Sequence, residues 1–329
     1  MNAYERAHIR DILARNREIE AVIDRSVLDI AKRFRTVKGK RFAAAMKEML
    51  DHLHDQFLND GKDGIRNQWA LAEKAAGAKI DGYLAGVKVA PGLAQSWRAP
   101  NVGALNAFID RTEAGMNLSD RVWRITDGIG KSMEDLIKKG VLEGESAIKL
   151  SRELKQFIRG KPIQYGGTLI KGANINYQAI RLAATEMNMA FRTADYIQNS
   201  RLPFVTGVTV ELSAAHPRPD LCDSLAGHYP KGFIFTQWHA LCICIATYET
   251  MPPDEFARYL ETGQIDRSRF TTDIPPNARQ YLNENGARLQ GYKNPPYFLR
   301  DNFNQNLTLK RSVHVGGMEK PIKMISETP

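Results

Sequence analysis

"LCICIATYE", Leu241 to Glu249, departs from everything the chain does before it. Its residues alternate with a period of two, as in a strand whose side chains point to opposite faces. Leu241, Ile243 and Ile245 fall on one face, Cys242 and Cys244 on the other. "FVTGVTVELS", Phe204 to Ser213, is β-branched and alternates in the same way. Upstream the period is that of a helix. The pattern predicts a predominantly helical α+β chain, with long N-terminal helices followed by a small mixed module that holds a short antiparallel sheet.

Ile9, Ile12, Leu13, Ile19, Ile23, Val27, Ile30, Ala31 and Phe34 recur at spacings of three and four, which predicts one long helix over residues 4–34. A second, through Phe42, Met46, Met49, Leu53 and Phe57, is expected to stop at Asn59, Asp60 and Gly61. A third covers 65–87, and "KVAPGLAQSWRAPNVG" reads as a Pro/Gly-bearing connection. At least two more helices follow between 117 and 160, with Ser119 as an N-cap and Gly140 as a stop. Residues 161–176 form a turn-rich crossover, and a strong helix runs from Tyr177 to about Asn199. Beyond the strands, "PPDEFARYLETG" and "PPNARQYLNENGARL" are helical, "NPPYFLRDNF" is expected to dock on its parent domain, and a polar extension begins near Asn302. The organisation expected is a helical region over 1–110, a mixed module over 111–250 and an arm over 251–329.

The net charge of +9 and a pI near 9.4 predict attraction to polyanions, because a positive surface releases counterions from nucleic acid. The densest run is "KRFRTVKGKR", in which Lys32, Arg33, Arg35, Lys38, Lys40 and Arg41 stand without an acidic residue. It can grip DNA phosphates, or it can be a solvated turn between helices. No stretch reaches the roughly 18 apolar residues needed to span a bilayer, and the charged N-terminus offers no apolar core for a secretory signal. An odd count of three cysteines suits a reducing compartment.

All three cysteines and three of the seven histidines lie between His216 and Ile245. Cys242, Cys244 and His239, with Cys222, His216 or His228 as a fourth ligand, make a sulfur and nitrogen set suited to tetrahedral zinc. One disulfide, or three small buried side chains, would also account for the cysteines. A Cys–His nucleophile is disfavoured, since sequence neighbours on a strand rarely aim correctly at one another. No G-x-S-x-G elbow, P-loop or H-E-x-x-H occurs, so no enzyme is expected. Glu186, on the helix "AATEMNMAF", is expected to pair with an arginine, cap, or orient the cluster.

Three elements in order give the chain a resemblance to the phage head morphogenesis family, the minor head proteins of the MuF type. These are Thr185, Glu186 and Ala190 on a helix; Leu212, Ser213, His216, Pro217, Asp220, Cys222, Asp223, Ala226 and Gly227 after a strand; and His239, Cys242 and Cys244 in "WHALCICI". The resemblance covers about residues 115–250. The chain departs from the family pattern at Ala240, where proline is usual, and lacks the second cysteine of a Cys-x-x-Cys. Histidine must therefore complete any metal set, with Cys222, His239, Cys242 and Cys244 as the candidates. Thr185, Glu186, His216, Asp220, Asp223 and Gly227 would be structural motif residues.

The resemblance implies a virion component inside the capsid, made in the host cytoplasm and built in through the portal protein. It would lie near packaged double-stranded DNA, with the major capsid or scaffolding protein as further partners, and act in head assembly, DNA packaging or genome delivery. Two alternatives stay open. MuF-type modules are sometimes joined to toxin or ADP-ribosyltransferase domains, and "LEGES" holds Glu143 and Glu145 in a Glu-x-Glu spacing without the Ser-Thr-Ser strand such enzymes carry. The other is a zinc-dependent nucleic-acid-binding module outside any virus.

Overall fold

The computed structural model describes residues 3–33, 40–127, 130–161, 163–165, 168–170, 174–213, 216 and 219–310. The chain is a predominantly helical α+β protein with a small three-stranded antiparallel sheet. It divides into two compact units, neither of them a single stretch of sequence. The helical unit takes residues 5–64 and 116–186; the sheet unit takes 1–4, 65–115 and 187–329. These boundaries do not coincide with the linear division at 110 and 250 expected from the sequence.

In the helical unit, α1 (Ala3–Arg33) buries Ile19, Ile23, Val27 and Ile30, so the stripe expected from Ile9 enters the core from Ile19 on, and Leu13 remains exposed. Each such side chain removed from water contributes about 1.5–3 kcal/mol. Helix α2 (Lys40–Leu84) is one continuous helix and does not stop at Asn59–Gly61. The reason is positional. Met46, Met49, Leu53, Phe57, Gly61 and Ile65 are all buried at spacings of three and four, so Gly61 sits on the packed stripe. A helix-interior glycine costs only about 1 kcal/mol, less than the burial that continues past it.

Next come α5 (Leu118–Asp127), α6 (Gly130–Leu142) and α7 (Ala147–Ile158). The cap of α5 is Asn117, whose Oδ1 accepts from the Asp120 amide at 2.9 Å while Asp120 Oδ2 accepts from the Asn117 amide at 3.0 Å. Ser119, expected as the cap, instead meets His54 Nε2 at 3.0 Å. Helix α6 runs two residues past Gly140. The crossover at 161–176 contains an antiparallel pair, β1 (Ile163–Tyr165) and β2 (Thr168–Ile170). Helix α8 (Ile175–Ser200) then matches the helix read from the sequence, and its first part closes this unit.

In the sheet unit the segment read as a connection is helical: α3 (Pro91–Arg98) and α4 (Val102–Asp110). Pro91 begins α3, where a missing amide hydrogen costs nothing, and Asn101 Oδ1 caps α4 through the Ala104 amide at 3.0 Å. The sheet runs β4 (Gly227–Pro230), β3 (Val205–Glu211), β5 (Ile245–Thr250), with β3 central and every pairing antiparallel. The stretch at 241–244 is a turn, not the start of β5: Leu241 has φ +63° and the Cys242 amide bonds to the His239 carbonyl. Strand β5 lies at the sheet edge, and the last turns of α2 supply donors to carbonyls there: Lys79 Nζ to Tyr248 O within the strand at 2.7 Å and Tyr83 Oη to Met251 O just past its end at 2.9 Å. Helices α9 (Leu221–Leu225), α10 (Pro253–Thr262), α11 (Pro276–Gln290) and α12 (Tyr297–Asn302) complete the unit. Phe298 and Leu299 of α12 are buried, and the Phe298 ring meets Trp238 edge-on at 5.4 Å, so this segment docks as expected.

Candidate metal centre

The five-residue helix α9 exists because both its ends are satisfied by side chains. Asp220 Oδ1 accepts from the Cys222 amide at 2.7 Å and Asp223 Oδ2 from the Asp220 amide at 2.8 Å, a reciprocal capping box. At the other end Asn277 Nδ2 donates to Ser224 O and Ala226 O, and the Tyr229 hydroxyl donates to Leu225 O. Gly227 follows with φ +146°, and a Cβ there would stand 2.8 Å from Cβ and Cγ of Pro275. The Asp-x-Cys-Asp…Ala-Gly run thus encodes one capped helical turn that fixes Cys222.

That turn presents Cys222 to the loop before β5. The sulfurs of Cys222, Cys242 and Cys244 lie within 4.8 Å of one another, all buried and all free thiols. Three cysteines so placed can hold a metal ion. His239 joins through Nε2, 3.2 Å from Cys222 Sγ and 3.2 Å from Asp220 Oδ2. Its Nδ1–H donates to the Ala240 carbonyl at 2.7 Å, which leaves Nε2 directed at Cys222 and Asp220. A Cys–His–Asp relay would need the carboxylate on Nδ1 and the sulfur on Nε2. Here one nitrogen meets both and the other is taken by a carbonyl, an arrangement for holding a cation rather than for moving a proton.

The electrostatics concentrate negative charge on a single sulfur. Hydrogen bonds from Cys222 and then Cys244 hold the Cys242 thiol well below its ordinary value, with the Arg192 charge assisting. The Cys222 thiol is pushed up by its bond to Cys242, then by that to Cys244 and by burial. For Cys244, a bond from Cys222 pulls downward but is outweighed by Cys242 and burial, leaving the thiol at about 12. Asp220 is raised by burial yet ends below the usual carboxylate range through the Cys222 amide and thiol and the neighbouring His239 and His216. His216 Nε2 stands 3.2 Å from Asp223 Oδ2 and 3.7 Å from Asp220 Oδ1. It therefore steadies the capping box, and His216, Asp220 and Cys222 form a second, more exposed group that could hold a metal.

Two residues that sequence reasoning passed over complete the support. Asn188 and Arg192, one turn apart on α8, donate to the carbonyls of Cys242, at 3.4 Å, and Cys244. The Arg192 guanidinium also lies 4.7 Å from the Phe235 ring centre, so a buried cation is seated beside both an aromatic face and the Cys242 sulfur whose charge it favours. No pattern in the sequence singles them out, because the same helix face also carries Arg181, Thr185, Asp195 and Asn199.

The remaining candidates are placed elsewhere. Glu186, in the helical unit, is buried and paired with Arg121 through both oxygens, at 2.5 and 3.3 Å, which is the arginine pairing expected. Thr185, beside it, is buried. His228 leaves the cluster altogether: it sits on β4, its Nδ1 2.6 Å from Glu249 Oε1 of β5. Of the basic run, Lys32, Arg33 and Arg41 are exposed, and Arg33 is paired with Asp29 and Glu48. Lys40 starts α2; Arg35 and Lys38 lie outside the described residues. Glu145 of the Glu-x-Glu spacing pairs with Lys149 at 2.6 Å.

No protein-family model, curated protein or solved structure matches this chain. Among the described residues no helix is long and apolar enough to cross a membrane.

Proposed function

We propose that the chain is a minor head protein of the MuF type, a non-enzymatic component that associates with the portal inside the capsid. It lies against packaged double-stranded DNA without reading sequence, and serves head assembly, packaging or genome delivery. The observation that supports this reading is that the two cysteine-bearing segments of the resemblance fold onto each other. Cys222, in the Asp-x-Cys-Asp segment, is 3.2 Å from His239 and within 4.8 Å of both cysteines of the His-x-x-Cys-x-Cys segment. A chance match of short motifs carries no requirement that they meet. The net charge of +9 suits a neighbour made of phosphates.

On this reading the cluster is a structural zinc site with Cys222, His239, Cys242 and Cys244 as ligands. Tetrahedral zinc places sulfurs about 3.8 Å apart and a sulfur and nitrogen about 3.6 Å apart, given bonds of about 2.3 and 2.0 Å. Cys222 Sγ and His239 Nε2, at 3.2 Å, are within some tenths of an ångström of that separation, and the three sulfurs already lie within 4.8 Å of one another. Zinc would supply folding energy here and no reaction.

Co-purification with the portal protein of the same phage tests placement. The chain should appear in heads or proheads and be retained on immobilised portal; absence from particles at every stage, together with no retention, would sink the proposal. Metal analysis of protein purified without added metal should give one zinc per chain, lost in Cys242→Ser. Binding to random duplex DNA should weaken steeply with salt and show no preferred sequence.

A further inference from the structure

Away from the cysteine cluster, the sheet unit contains a cavity of about 200 Å³ lined by Lys231, Gly232, Phe233, Thr271, Leu309 and Lys310, with Pro230 and Asn302 at its margin. The Asn302 amide is fully engaged, accepting from the Ile234 amide and donating to Ile234 O and Phe298 O, so it builds the wall and is not available to a ligand. The Thr271 amide is bonded to Thr206 O, and Thr271 is among the lining residues. The two lysines are the unusual feature. Lys231 is half-buried, its ammonium 5.7 Å from the Phe270 ring centre, and no carboxylate pairs with it among the described residues. Lys310 donates to the Arg300 carbonyl; the acid that acts on it, Asp301, is already bonded to Arg300. Burial pushes both ammonium groups below the ordinary lysine value.

We propose that this pocket binds a phosphate group, with Lys231 and Lys310 as the charged contacts and the Thr271 hydroxyl as a neutral donor. Two half-buried lysines that line one cavity gain most from a compact polyanion. Lysine, a point charge with three rotatable donors, suits the tetrahedral array of phosphate oxygens, whereas a planar carboxylate is better matched by the fork of an arginine. The volume is several times the roughly 30 Å³ that one water occupies in the liquid, room for a phosphate with part of its hydration. The phosphate can belong to a free ion or monoester, or to the backbone of a nucleic acid. The proposal does not depend on the metal centre or on the virion reading.

Isothermal titration of the full chain with inorganic phosphate, at ionic strength held constant with chloride, should show saturable one-to-one binding. Lys231→Met and Lys310→Met should each weaken it about tenfold or more, the factor for one charge-assisted bond. In chloride alone Lys231→Met should melt at the wild-type temperature or higher, because a half-buried charge with no carboxylate partner among the described residues has been removed; this separates lost binding from lost folding. A labelled random oligonucleotide identifies the source. If phosphate displaces it and both variants lose it, the ligand is a phosphodiester; if both variants bind it as wild type does while losing inorganic phosphate, the ligand is a small phosphate. Absence of saturable phosphate binding by the wild-type chain, or unchanged affinity in both variants, would overturn the proposal.

Discussion

Replacing Arg121 by methionine takes a bidentate partner from a buried carboxylate. The Glu186 carboxylate, with its side chain 2% exposed, lines a cavity of about 20 Å³ whose other walls are Ile19, Phe57, Leu118, Val122, Leu182 and further apolar groups. Arg121, 11% exposed, grips both of its oxygens. Removing Arg121 takes two charge-assisted hydrogen bonds from a buried carboxylate, each of which is worth about 1.5–3 kcal/mol. The cavity can admit roughly one water, so hydration offsets little. Against a total stability of about 5–15 kcal/mol for a domain, the helical unit should lose a large part of its margin. Urea unfolding followed by Trp123 fluorescence, the other tryptophans being replaced by phenylalanine, reports on that unit. The midpoint should fall by the equivalent of at least about 1.5 kcal/mol, the lower end for one hydrogen bond to a charged group. Arg121→Met with Glu186→Leu should restore most of the loss, because the buried charge goes too. A single variant within about 1 kcal/mol of wild type, the range of an exposed pair, would refute the reasoning. So would a double variant as unstable as the single one.

Arg192→Met should leave the sheet folded but lower zinc affinity by about 10–100-fold in competition with a chromogenic chelator, the range for losing an outer-shell partner. Gly227→Ala should cost about 2 kcal/mol or more in thermal unfolding, since a φ of +146° is unfavourable for alanine and Pro275 occupies the space its Cβ needs. Asp301 is held at about 6 by burial, against a usual value of 3.8, although Arg300 opposes the shift. The folded state therefore binds the proton more readily than the unfolded one, so this residue's contribution to stability is full below pH 3.8 and declines as pH rises through 6. Asp301→Asn should flatten that descent in a series of melting curves, and an unchanged slope would show that the carboxyl does not titrate there.

The elements that sequence made legible are those whose signal is periodic. Helix α8, strand β3, α10 and α11 fall where the period of apolar or β-branched residues put them. The errors arose where a local breaker competed with that period. At Gly61 the Asn-Asp-Gly run signalled an end, yet the stripe Phe57, Gly61, Ile65 continued at helical spacing and tertiary packing decided. At Pro91 a proline was read as a break although it stands at the first turn of α3. The reading of "LCICI" reached the right residues by a partly wrong route. Cys242 and Cys244 do converge, but through a turn with Leu241 at positive φ, and not because they share one face of a strand. Asn188 and Arg192 were invisible because what they hold is backbone, and which carbonyls come within reach of a helix face is a tertiary fact.

The loop that carries the cluster explains why such a knot is needed there. Between Phe233 and Cys244 the chain makes no strand, yet Thr236, Gln237 and Trp238 are buried. The Thr236 hydroxyl, both ends of the Gln237 amide and the Trp238 indole nitrogen find no protein partner among the described residues. Each unmet buried group costs about 1–3 kcal/mol, so together they oppose burial of the loop by on the order of 4–12 kcal/mol, less whatever buried water returns. Aromatic packing of Trp238 on Phe235 and Phe298, at 4.8 and 5.4 Å, offsets part of that. A structural zinc contributes on the order of 10–16 kcal/mol in small zinc-dependent folds, enough to fasten a segment of this kind. The proposed metal would thus act on a segment of the sheet unit whose buried side-chain polar atoms are poorly satisfied. Its removal should be felt first between residues 233 and 244, as faster amide hydrogen exchange there, before the strands themselves are affected.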